Sequence, residues 1–105
     1  ARSLSDRIAY AEGMNTALRE ASTDALNHAE ITSSDMEHVQ VVNGEVKRTL
    51  AAARALLGTD VASAEGRLLT AMTLLTELQT YLRSKGVKTS HNLWSPTWKT
   101  LLLPS

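Results

Sequence analysis

The chain has 105 residues, of which 43% are hydrophobic; its eleven Lys or Arg balance eleven Asp or Glu, and cysteine is absent. One domain with one modest core fits that length, and the composition is that of a folded protein, not a disordered one. Lack of cysteine excludes disulfide frameworks, thiolate metal centres and thiol catalysis, zero net charge argues against a generic nucleic-acid binder, and no apolar run nears the ~20 residues of a membrane span.

Ala1-Arg2-Ser3 carries neither an initiator Met nor a signal-peptide core. The sequence therefore reads as a fragment or a processed chain, with an intracellular, cytoplasmic location as the default. Sixteen Leu and fourteen Ala favour helix, and both prolines fall within the last ten residues. Nothing before Pro96 forbids long helices.

The first helix is expected over about residues 5–30. Ser5 is placed to cap it, with Asp6 favourable in the first turn. Ile8, Ala11, Leu18, Ala21, Ala25 and Ala29 form one stripe at helical spacing. Alanine dominates this stripe, and Asn15 and Ser22 interrupt it. Gly13 is a mild weak point.

A break and restart follow. Ser34-Asp35-Met36-Glu37 matches a capping box that opens a second helix over about residues 35–57. Met36, Val39, Val46, Leu50, Ala53 and Leu57 lie on one face, and Gly58 is the expected stop. Two rivals compete with this reading. Val39 to Val46 resembles a β-hairpin around an Asn43-Gly44 turn. Alternatively Ala25, Ala29, Thr32, Met36, Val39, Asn43, Val46 and Leu50 hold one register straight across the break. That register would make a long helical hairpin or coiled coil that dimerises.

The third helix, about residues 60–85, is the clearest. Thr59 or Asp60 caps it, and Gly86 ends it. Ala64, Leu68, Ala71, Leu75, Leu78 and Leu82 form its seam, which Leu69, Met72 and Leu74 widen towards a second neighbour. Three matched helices with short connections predict an all-α, up-down-up three-helix bundle over residues 1–86. Spectrin-like repeats share the length and the three-helix pattern, but the aromatic expected in their first helix is missing. That likeness concerns fold alone.

Residues 87–105 form a tail of different character. Up to Glu77 the chain has seven basic and eleven acidic residues; from Leu78 onward it has four basic and none acidic. Both tryptophans, Trp94 and Trp98, lie in this tail beside Leu93 and Leu101-Leu102-Leu103. Ser95-Pro96 is a good start for a short helical turn. Such a tail either plugs the end of the bundle or docks on a partner, because aromatic anchors dominate interface energetics. The candidate partner-binding residues are Leu93, Trp94, Trp98, Leu101 and Leu102 with Lys88 and Lys99.

Signals of catalysis are thin. Asp24 with His28, and Asp35 with His38, flank the same break and would gather around a divalent metal only in one hairpin geometry. Helix-terminus charge explains His28 and Asp35 more simply, so no metal is expected. Glu-x-x-His, glycine-rich phosphate loops and nucleophile elbows are all absent. His38 leads into Val39-Gln40-Val41-Val42, without the basic and small residues of phosphotransfer helices. Arg7, Arg19, Arg48, Arg54 and Arg67 are scattered, and Lys47-Arg48 with Arg54 make only a small phosphate footprint. The sequence therefore points to a non-enzymatic interaction or assembly module without cofactor. Its expected partner is another protein or a second copy, not nucleic acid and not a membrane interior. The alternative is a small-ligand- or metal-binding helical domain, with or without enzymatic activity.

Overall fold

A computed structural model describes residues 3–89. Three α-helices follow one another: α1 (Leu4–Asn27), α2 (Ser33–Leu56) and α3 (Val61–Ser84). Each has 24 residues, about 36 Å at the standard rise. They pack on one another as an all-α three-helix bundle. The hairpin rival fails, since Val39 to Val46 lies wholly within α2. So does the continuous helix, because the chain turns between Asn27 and Ser33.

That turn has a definite physical basis. Ala29 takes a left-handed conformation with φ 58°. Around it Glu30 N–H donates to the Ala25 carbonyl at 2.8 Å, and Ala29 N–H donates to the Leu26 carbonyl at 3.1 Å. This is the Schellman termination, built on an alanine where glycine would avoid a cost of about 1–2 kcal/mol. Gly86 ends α3 the same way at φ 82°, with Val87 N–H donating to the Leu82 carbonyl at 3.0 Å. Gly58, the expected stop of α2, is not left-handed.

The caps differ from expectation at two of three starts. Ser3, not Ser5, caps α1, its hydroxyl accepting the Asp6 N–H at 3.1 Å. Thr32, not Ser34, opens α2: its hydroxyl accepts the Asp35 N–H at 3.1 Å while Asp35 Oδ2 accepts the Thr32 N–H at 3.0 Å. Capping Asp35 thus replaces Glu37 in the box, and Ser33 and Ser34 fall inside the first turn. Ile31 precedes this cap and Met36 follows it at the fourth helical position. Both are buried in the core, the arrangement of a hydrophobic staple that fixes the angle of entry. Asp60 caps α3 through the Ser63 N–H, as one of the two expected candidates.

The core takes Ile8, Met14 and Leu18 from α1, Val39, Val46 and Leu50 from α2, and Leu68, Leu75, Leu78 and Leu82 from α3. Met14 joins the expected α1 stripe, whereas Ala29 at its end is exposed. Ser22 is fully buried without cost to its hydroxyl, which donates to the Leu18 carbonyl at 2.7 Å. Polar pairs then fix how the helices align. The Asn15 side-chain N–H donates to the Asn43 backbone carbonyl at 3.1 Å and the Asn43 side-chain N–H to Asn15 Oδ1 at 2.8 Å, while Arg54 donates to both carboxylate oxygens of Glu12 at 3.0 and 2.7 Å. Arg7 near the start of α1 meets Glu65 near the start of α3 at 3.4 Å. Hence α1 and α3 run parallel, and α2 runs against both. The expected C-terminal helical turn lies outside the described residues.

Candidate functional site

Two polar assemblies stand out. The first joins the start of α2 to the end of α3. Tyr81 donates its hydroxyl to Asp35 Oδ1 at 2.6 Å, and Lys85 Nζ lies 3.5 Å from the same oxygen. The His38 ring packs on Tyr81 with centroids 4.5 Å apart, while Lys85 Nζ sits 5.5 Å from the Tyr81 centroid. The Thr32 backbone N–H, then the Tyr81 hydroxyl, hold the Asp35 carboxyl far below the usual carboxylate range, against a smaller opposing effect of desolvation. Donation to Asp35 in turn raises the Tyr81 phenol. A carboxylate so held keeps its charge near neutrality instead of exchanging protons, and it acts here as a clasp between helices.

The second assembly is a cavity of about 510 Å³ at the C-terminal end of the bundle. One wall is the second half of α1, with Ala17, Ala21 and Ala25 as its floor and Glu20, Asp24 and His28 around it. Glu30 and the stretch Gly86-Val87-Lys88 after α3 close the other side. The alanines that make the α1 stripe thin are what leave this space. Glu20, Asp24 and Glu30 give the lining an acidic character, with Lys88 at its rim. His28 Nδ1 lies 2.8 Å from the Asp24 carbonyl in its own helix.

Of the expected partner-binding residues, Lys88 is the one among the described residues, and it is exposed. Leu93, Trp94, Trp98, Leu101, Leu102 and Lys99 lie outside them. Asp24, His28, Asp35 and His38 are not brought together: the first two border the cavity and the last two face Tyr81. Among the described residues no three side chains gather as a metal-binding group. Nor does any helix among them have the length and apolarity to cross a membrane.

The arginines are mostly committed. Arg54 is held by Glu12, whose carboxyl is lowered chiefly by that hydrogen bond, and Arg48 meets Glu45 at 2.7 Å. Arg7 is buried beside Glu65. The small basic footprint on α2 is therefore largely neutralised. No family model matches the chain, and no curated protein or solved structure is found similar to it.

Proposed function

We propose that this chain is a non-enzymatic protein-interaction module, a clasped helical platform that offers its C-terminal segment to another protein. The observation that carries this reading is the segregation of residue types along the chain. Both tryptophans and four leucines follow residue 92, and from Lys88 onward the chain has Lys88 and Lys99 but no acidic residue. Tryptophan brings large apolar area with little entropy to lose, and flanking cations suit an acidic rim around an apolar pocket. Leu93, Trp94, Trp98, Leu101 and Leu102 are the anchors in this reading, with Lys88 and Lys99 as steering charges. The partner is a protein with that complementary surface.

Carbodiimide crosslinking in an extract of the source cells tests the proposal. Lys88 and Lys99 should join to acidic residues of a partner, and the Trp94→Ala/Trp98→Ala variant should lose those links while keeping its helical circular dichroism. Unchanged links in the variant would contradict the proposal. So would a large rise in melting temperature with a divalent metal or an anionic metabolite, since a ligand at 100 times its dissociation constant adds about 2.7 kcal/mol.

A further inference from the structure

We infer that the groove between α1 and the end of α3 is the resting site of this chain's own residues 90–105. The path of the backbone out of α3 is the first reason. Gly86 turns the chain, Val87 is buried, and the fully buried Gln79 amide donates to the Thr89 hydroxyl at 3.0 Å. Thr89 therefore sits beside a residue that lies five positions before the end of α3. The chain has doubled back by about 8 Å at the helical rise. It is heading towards the helix starts, along the bundle.

Register says what it runs beside. The Arg7–Glu65 pair spans 58 positions, and α1 and α3 are parallel. The same offset sets Ala21 opposite Gln79, so Thr89 leaves the described chain at the level of the alanine floor. Sixteen residues follow Thr89. At ~3.3 Å each they reach up to ~53 Å, whereas the lining of the groove from Ala17 to His28 measures about 17 Å along the helix. The segment is long enough to follow the groove without being fully extended.

Chemistry agrees with geometry. Ala17 and Ala21 leave room that no side chain of the bundle fills, and the segment carries two indoles and four leucines that monomeric proteins seldom expose together. Glu20, Asp24 and Glu30 line the groove, and the chain from Lys88 onward has Lys88 and Lys99 but no acid. This inference rests on the interaction reading and adds regulation to it. The anchors that dock on the partner are held in cis, and the apparent affinity falls with the fraction released.

Both tryptophans lie in this segment and none elsewhere, so tryptophan emission reports on it alone. In the intact protein, emission should be blue-shifted and weakly quenched by acrylamide. Ala21→Lys, which fills the groove and repels the segment's lysines, should shift emission to the red and raise quenching several-fold with helicity unchanged. Should that variant fold poorly, Glu20→Lys/Asp24→Lys at two exposed positions gives the same readout. Red-shifted wild-type emission, or shielding that neither variant disturbs, would overturn the inference. Shielding that appears only as concentration rises would also overturn it, by placing the segment on a second copy. The interaction reading is judged separately, by whether the Trp94→Ala/Trp98→Ala variant loses the partner crosslinks that the intact protein forms.

Discussion

Leu75→Ala should lower the stability of the bundle by about 2–5 kcal/mol, measured as a fall in the urea midpoint at unchanged slope. Leu75 has no exposed surface and lies midway along α3, the helix that supplies the most fully buried leucines. One turn earlier on the same face stands Ala71, too short to fill the space that truncation opens. For a chain of this size the whole stability is about 5–15 kcal/mol, so the loss is a large share of it. Leu69→Ala is the matched control. Leu69 is 39% exposed, and its truncation should cost far less. Equal effects at both positions would show that α3 does not face the core as described.

The second large effect is expected in acid. Asp35 and, to a smaller extent, Glu12 and Asp60 have carboxyls lowered in the folded state. A lowered folded value means that the unfolded chain takes up protons first. Stability is therefore fully present above the unfolded carboxylate values of about 3.9–4.3 and is lost as pH falls through the lower folded values. The melting temperature should be flat from neutrality to about pH 5 and then fall, with Asp35 the last of these three to protonate. Tyr81→Phe removes one of the hydrogen bonds that hold Asp35 down. It should lower the melting temperature at neutral pH, and the two curves should converge on acidification. Parallel curves would mean that the clasp from Tyr81 to Asp35 contributes nothing through the carboxylate charge.

Much of the architecture was legible because helix signals are local. The α3 seam from Ala64 to Leu82 alternates steps of three and four, and all six positions are buried. The restart before Met36 was legible as a capping pattern, yet the cap fell on Thr32 with Asp35. Two overlapping Ser/Thr-x-x-Asp/Glu patterns sit there, and local sequence does not say which one the turn selects. Ile31, buried beside the core, supplies the staple that favours the earlier one. The break itself was obscured because its left-handed residue is Ala29, and glycine is the residue that ordinarily marks such a position.

Long-range pairings were the part that sequence spacing conceals. Asp35 and Tyr81 are 46 positions apart, and no local pattern announces their hydrogen bond. Asn15 was visible as a polar interruption of the α1 stripe, and Asn43 as a polar member of the register that runs across the break. Only the antiparallel packing of α1 on α2 turns the two into one pair that fixes alignment. The cavity was half legible: a thin alanine stripe implies spare room, but the sequence suggested a second copy to fill it. In the bundle, α2 and α3 of the same chain already cover much of α1. Among the open stretches of α1 is the one from Ala17 to His28, beside which the chain turns after Gly86.

Light scattering on the intact protein over a wide concentration range is therefore the most direct test of a bundle that buries its apolar helix faces within one chain. The account predicts a monomer of 11.4 kDa throughout, with helical circular dichroism and a single cooperative melt. A dimer whose melting temperature rises with concentration would contradict it, because a second copy would then be supplying the surface that covers α1.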